Sequence, residues 1–251
     1  MIELDKWAVA RAEQVQQQVV GAYERYEFHQ IYQAVHYFCT VDMGGFYLDI
    51  IKDRQYTTQT DSRARRSAQT AMYHIVEALV RWLAPILSFT AEEINEHVPG
   101  ERPESLFLET WFALPEVYPK EGVDQQMNLE YWSQVMHVRD AVYKELEKAR
   151  VAGVIGSSLD AEAELYCGRE VLDRLAMLQD ELRFVLITSY ADIYEAGDPP
   201  KEATHFTLPS GDEIWVAVKA SQYRKCTRCW HRREDVGADT RHPELCGRCV
   251  E

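Results

Sequence analysis

Four of the six cysteines lie within the last 26 residues, as two Cys-x-x-Cys pairs separated by sixteen residues. Cys226 and Cys229 form the first pair, and Cys246 and Cys249 form the second. Two residues between cysteines allow one tight turn to direct both sulfurs at a single ion, and the spacing lies in the range of four-thiolate zinc sites. The pattern therefore predicts one zinc ion, which is structural because four thiolates leave no open coordination position.

Other uses of these cysteines are two free thiol pairs, a disulfide ladder or a redox pair. A redox pair normally opens a helix of a thioredoxin-like unit, and neither pair is expected to do so. With four thiolates available, we expect the nearby His231 and His242 not to be ligands. Gly247 is expected in the left-handed conformation. Cys39 and Cys167 lie in apolar segments and are expected to be buried, inert thiols.

A second candidate site surrounds the tryptophan that follows Cys229. Four basic residues flank it, so the candidate contacts are Trp230, Lys225, Arg228, Arg232 and Arg233. An aromatic ring beside guanidinium groups can stack on an unpaired base while the cations contact phosphates. The alternative is that Trp230 covers the zinc site or docks on the preceding β region, and the sequence alone leaves both open.

The charge of the chain is uneven. Its net charge of −14 argues against a general nucleic-acid binder. Residues 224–251 nevertheless carry seven basic and five acidic side chains, and such a tail can bind a polyanion locally. No apolar stretch approaches the ~20 residues that span a bilayer, and the first residues do not resemble a secretory signal. We therefore expect a cytosolic, monomeric chain with no membrane partner.

The first 98 residues show apolar residues at helical spacing and predict a bundle of amphipathic helices. A Gly-Gly pair inside the second helix predicts a bend or a close crossing, and a polar loop is expected over 52–66. Thr90 and Glu93 fit a capping box for a short helix. The predicted helices are Glu3–Tyr26, Phe28–Ile51, Ala64–Leu87 and Ala91–His97.

After a connector over 99–127, the sequence predicts a long helix and then a small mixed α/β region. The expected elements are a helix at Asn128–Arg150, a strand at Ala163–Cys167, a helix at Glu170–Asp180, a β-rich run at Phe184–Ile187 and a hairpin from Thr204–Leu208 to Glu213–Lys219. The predicted fold is mainly α, in three parts: a helical bundle with its connector at 1–118, the long helix and α/β domain at 119–220, and a zinc-ribbon-like finger at 221–251.

Several segments resemble bacterial isoleucyl-tRNA synthetases. The residues that carry the resemblance to their post-catalytic helical region are 46–56, 65–74 and 81–93, and those that resemble their closing zinc finger are 225–231 and 245–249. Leucyl- and valyl-tRNA synthetases share such a bundle but not this ending. Certain DNA glycosylases carry a related finger, but nothing upstream here resembles them.

The resemblance implies a bundle of the class Ia anticodon-binding type and a finger near the anticodon end of isoleucine tRNA. It also implies catalytic and editing domains in a longer parent chain. The sequence has neither a His-x-Gly-His segment nor a Lys-Met-Ser-Lys-Ser loop, so we expect a fragment that is inactive alone. The alternative function is a free-standing zinc-ribbon module that binds protein or DNA.

Overall fold

A computed structural model describes residues 1–118, 127–197 and 199–250 of the chain. It divides the chain into two compact units, Met1–Leu129 and Glu130–Glu251. Residues 119–126 of the expected connector lie outside the described residues. The three-part division at 118 and 220 stays a prediction.

The first unit is helical, as the spacing of its apolar residues predicts. Trp7, Val15 and Val19 of the first helix are fully buried, and this helix packs against the second and fourth. Its elements are α1 (Glu3–Glu24), α2 (Phe28–Tyr37), a π-helix (Phe38–Tyr47), α3 (Leu48–Thr57), α4 (Arg63–Leu83), α5 (Ser88–His97) and a 3-10 turn (Leu106–Leu108).

The Gly-Gly pair lies in the ten-residue π-helix between α2 and α3. A Cβ atom on Gly44 would lie 3.1 Å from the Cys39 carbonyl oxygen. A glycine at this position therefore avoids a tight contact inside the wider π-helical turn. Two expectations were wrong in this region. Helix α3 continues to Thr57, where a loop was expected, and Cys39 is exposed rather than buried.

The predicted capping box of the short helix was also wrong. Helix α5 begins at Ser88, and no side chain caps it. The acidic residue that bonds the backbone is Glu92, whose carboxylate accepts from the Leu106 N–H and from the Ser105 hydroxyl. It therefore holds the following 3-10 turn against α5 instead of capping its own helix.

The second unit is a four-stranded sheet with helices. Strands β1 and β2 are parallel, β1 and β4 are antiparallel, and β3 pairs antiparallel with β4, in the order β2-β1-β4-β3. Its elements are α6 (Leu129–Val151), a 3-10 turn (Ser158–Asp160), β1 (Ala161–Cys167), α7 (Arg169–Ala176), α8 (Glu181–Leu186), β2 (Tyr190–Glu195), β3 (Thr204–Thr207), β4 (Glu213–Ala220) and α9 (Gly247–Val250).

Alternate residues of β1 are buried, Cys167 among them, as the predicted strand requires. The predicted hairpin is confirmed, with Gly211 at a φ of +91° in its turn. The prediction of a β-rich run at Phe184–Ile187 was wrong. Helix α8 covers the first three of these residues and ends at Leu186, and Ile187 follows it with a φ of +55°. Strand β2 follows three residues later and was not predicted. Among the described residues, no helix is long and apolar enough to cross a membrane.

A buried carboxylate ties together the helices of the first unit. Asp5 on α1 is fully buried and accepts hydrogen bonds from the Tyr47 hydroxyl at 2.8 Å and from the Ser67 hydroxyl. The Arg54 guanidinium, itself 3% exposed, lies 3.7 Å from the same carboxylate. The charge of Asp5 thus balances a buried cation and connects α1 with the π-helix, α3 and α4.

Replacement Asp5→Asn keeps the shape of this side chain and removes its charge, which takes a fully buried counter-ion away from Arg54. Loss of one partner of a buried ion pair costs about 3–5 kcal/mol. We expect a drop of that size in the free energy of unfolding, measured by urea titration of the helical circular dichroism. The control Asp61→Asn, at an exposed loop position, should change it by less than about 0.5 kcal/mol. Equal stability of the two variants would contradict the role of Asp5.

Candidate zinc centre and adjoining basic surface

The four predicted ligands meet at one point. The sulfur atoms of Cys226, Cys229, Cys246 and Cys249 all lie within 4.8 Å of one another. All four residues are buried, and the Cys229 and Cys246 sulfurs are 3.7 Å apart. Tetrahedral zinc with Zn–S bonds of about 2.3 Å requires sulfurs about 3.8 Å apart. The cluster therefore suits one zinc ion, as the spacing of the cysteines predicted.

The first Cys-x-x-Cys pair is shaped by a turn closed at both ends by backbone hydrogen bonds. The Trp230 N–H donates to the Cys226 carbonyl, and the Cys226 N–H donates to the His231 carbonyl, both at 2.9 Å. Trp230 has a φ of +66°, which reverses the chain directly after Cys229. This geometry lets both thiols of the pair point inward.

The second pair is built differently, and two expectations about it were wrong. Cys246 directly precedes the four-residue helix α9, so this pair does open a short helix. Gly247 is not left-handed. Its N–H donates to the Asp235 carboxylate at 2.9 Å, and a Cβ atom would lie 2.9 Å from the same oxygen. Glycine leaves room there for the close approach of the Asp235 carboxylate and does not serve a left-handed backbone.

The thiols influence one another's ionisation strongly. Burial and then the nearby Cys229 thiolate raise the pKa of Cys246 to about 11. The pKa of Cys229 is lowered, first because the Cys249 thiol donates a hydrogen bond to it. A thiolate at Cys229 therefore opposes the ionisation of Cys246. A divalent cation neutralises several thiolates at once, which is the chemistry that this donor set supplies.

The basic residues beside the cluster are placed by the α/β part of the same unit. Lys225 and Arg232 both contact one oxygen of Asp160, at 3.2 and 3.0 Å. Although burial opposes its ionisation, hydrogen bonds from these two cations hold the pKa of Asp160 below its usual value. The Arg233 guanidinium lies 4.5 Å from the centre of the Tyr190 ring. These three cations therefore attach the finger to the α/β part.

The other two candidate contacts, Trp230 and Arg228, are both exposed to solvent. Trp230 is 62% exposed. Arg228 is exposed and donates to the Cys249 carbonyl at 3.3 Å. The ring of Trp230 thus does not act as a lid buried over the sulfurs. Their contact with RNA stays a prediction.

Sequence reasoning missed the acceptors on the α/β part. Asp160 accepts from Ser157 as well as from the two cations, and Ser189 accepts from the Arg232 N–H at 2.6 Å. The Ser-x-x-Asp spacing, which is typical of a capping box, is the one local pattern that could have indicated a structural role for Asp160. The structure contains that capping box. Nothing local indicates Ser189, which lies 43 residues from its partner.

We expect one zinc per chain by elemental analysis of reduced protein. Cys226→Ser should lose the metal and the order of the finger, because the binding energy of a structural zinc is also folding energy. The helical circular dichroism should remain, since the first unit has buried residues of its own. Cys39→Ser, which alters an exposed thiol, is the matched control and should keep its zinc. Zinc-free wild-type protein, or a Cys226→Ser protein that retains zinc, would refute the assignment.

Comparison with known proteins agrees with this geometry. Residues 5–165 match the family model described as the anticodon-binding domain of tRNA ligase. Residues 225–251 match the zinc finger found in FPG and IleRS. The first match covers most of the helical bundle and continues into β1, and the second covers all four cysteines.

Curated relatives give the same result. Isoleucine–tRNA ligases of Thioalkalivibrio sulfidiphilus and Halorhodospira halophila are each 57% identical to the chain, and that of Nitrosococcus oceani is 58% identical. Each comparison covers 100% of this chain but 26% of the relative. The chain thus spans about a quarter of the length of these ligases. It belongs to the anticodon-binding domain family of tRNA ligases and carries the zinc finger found in isoleucine–tRNA ligases.

Proposed function

We propose that the chain is the part of an isoleucine–tRNA ligase that binds isoleucine tRNA at its anticodon region. The family match and the three ligase relatives support tRNA as the partner. In this proposal, the catalytic and editing domains of the parent chain carry out ATP-dependent aminoacylation. The chain contributes binding, as a monomeric part of a cytosolic enzyme.

The exposure of Trp230 is the main observation that supports contact between the finger and tRNA. Its two chain neighbours, Cys229 and His231, are buried, whereas the indole is 62% exposed. By contrast, Trp7 and Trp132 are each 1% exposed. A large aromatic surface fixed between two buried residues is a suitable platform for stacking an unpaired base.

The backbone of Trp230 supports the same role. Its φ of +66° lies in the left-handed region, which costs a residue with a Cβ on the order of 1–2 kcal/mol. Glycine would occupy this position without that cost. A tryptophan kept there, with its ring in solvent, gains little from burial. Its side chain therefore serves an external partner better than it serves the fold.

Phosphate contacts would come from the cations around this ring. Arg228 is the strongest candidate, because it is exposed and its partner among the described residues is a neutral carbonyl, not a carboxylate. Lys225 and Arg232 share Asp160 as a counter-ion, and Arg233 stacks on Tyr190. We propose that these three orient the finger and contribute a weaker attraction to the RNA backbone.

Trp230→Ala should weaken the binding of isoleucine tRNA roughly ten- to hundredfold, since stacking of one base is worth about 1–3 kcal/mol. The measurement is a filter-binding titration with the 251-residue chain. Trp230→Phe retains a stacking ring and should lose less affinity. Thr227→Ala, an exposed change in the same knuckle, is the control and should bind as the wild type.

Zinc content and melting temperature are measured on the same preparations. Unchanged affinity of a folded, zinc-loaded Trp230→Ala protein would show that the ring is not a tRNA contact. A wild-type chain that does not prefer isoleucine tRNA over another tRNA would contradict the proposed function itself.

Arg228→Gln should reduce the salt dependence of tRNA binding. Each lost phosphate contact lowers the slope of log affinity against log salt by about one. The measurement repeats the titration over a range of salt concentrations. Arg169→Gln, which removes an exposed cation on α7 from its pair with Asp173, is the control and should leave the slope unchanged. A slope equal to wild type in Arg228→Gln would remove this residue from the interface.

A further inference from the structure

A buried histidine lies beside the sulfur cluster. His231 is 2% exposed, although it directly follows the exposed Trp230. Neither of its ring nitrogens forms a hydrogen bond of good geometry with the described residues. Buried polar groups in folded proteins nearly always have a hydrogen-bond partner. We therefore expect the imidazole N–H to have an acceptor stronger than the sulfur of a neutral thiol.

The surroundings of the ring restrict what that acceptor is. On one side, the Phe184 ring of α8 contacts the imidazole edge-to-face, with centroids 5.5 Å apart, and offers no acceptor. Cys229, two residues earlier in the chain, supplies such an acceptor. After the hydrogen bond from the Cys249 thiol, and although burial opposes it, hydrogen bonds from the imidazole and the backbone N–H of His231 lower the pKa of Cys229. A zinc-bound thiolate keeps lone pairs and negative charge, which make it a good acceptor for an N–H group.

Cys229 is also the sulfur towards which other donors converge. A hydrogen bond from Arg248 also lowers the pKa of Cys229, and the Arg248 guanidinium lies 5.0 Å from the centre of the Phe184 ring. The Cys226 sulfur, by comparison, receives the Cys246 N–H at 3.4 Å. Hydrogen bonds to the groups that bind a metal hold those groups in place and strengthen metal binding.

We propose that His231 is a positioning residue of the zinc centre, whose imidazole N–H donates a hydrogen bond to the Cys229 thiolate and thereby slows the release of zinc. The ring also connects the metal site to α8 through Phe184. The backbone on both sides of the ring is fixed, because the His231 carbonyl accepts from Cys226 and the Arg232 N–H donates to Ser189. These hydrogen bonds fix the main chain from which the imidazole extends.

The test compares zinc release from the full-length chain into an excess of a coloured chelator. His231→Phe preserves an aromatic ring against Phe184 but has no N–H. Loss of an outer hydrogen bond to a metal ligand typically costs 10–100-fold in metal affinity, and we expect zinc release to accelerate by a similar factor. His231→Asn and His231→Gln each place an amide N–H near one of the two ring nitrogens. At least one of them should recover most of the wild-type rate.

His242→Phe is the matched control, because His242 is an exposed histidine of the same finger, and it should release zinc at the wild-type rate. Cobalt substitution gives a second readout. The sulfur-to-cobalt charge-transfer band of His231→Phe should keep its intensity, since four thiolates remain. The band should move to longer wavelength, because an unbonded thiolate gives up its electron more easily.

Three results would overturn the proposal. In the first, a folded His231→Phe protein releases zinc at the wild-type rate. In the second, all three variants release zinc equally fast, so that shape and not the N–H matters. In the third, the cobalt band of the unaltered chain has the intensity of fewer than four thiolates and His231→Phe changes it, so that the imidazole is itself a ligand. No tRNA enters this experiment, so its outcome is independent of the proposed function.

Discussion

Four sulfur atoms within 4.8 Å of one another, all buried, are the constraint on which the finger depends. Apart from the cysteines, its hydrophobic cluster consists of Val236 and the partly buried Leu245. Burial of one such side chain is worth about 1.5–3 kcal/mol, whereas a structural zinc contributes roughly 10–16 kcal/mol in finger peptides. The metal therefore outweighs the apolar core. The turn that exposes Trp230 and buries His231 is also the turn that directs the Cys226 and Cys229 sulfurs towards the metal position.

The carboxylate of Asp160 connects the finger with the sheet. Its carboxylate accepts from Lys225 and Arg232 on one oxygen and from Ser157 on the other. The side chain of Asp160 is 13% exposed, so salt screens this cluster less than it screens surface pairs. Lys225 and Arg232, which the sequence analysis names as candidate RNA contacts, thus also orient the finger.

Predictions from the sequence were accurate where residues close together in the chain determine the structure. The two Cys-x-x-Cys pairs and the periodic apolar residues of α1 act over a few residues, and both predictions were confirmed. The errors lie where distant residues decide the outcome. Phe184 to Ile187 has high strand propensity, yet α8 forms there and packs against β2. The role of Gly247 depends on Asp235, twelve positions earlier, and no local pattern indicates it.

The π-helix between α2 and α3 affects how this fold tolerates changes in chain length. A π-helical turn contains one residue more per hydrogen bond than an α-helical turn. An inserted or deleted residue within Phe38–Tyr47 can therefore lengthen or shorten the π segment, while the flanking helices keep their buried faces. The same insertion in the middle of α1 would rotate the rest of that helix by about 100° and turn its apolar face towards solvent. Gains and losses of single residues are thus accommodated better at Phe38–Tyr47 than within α1.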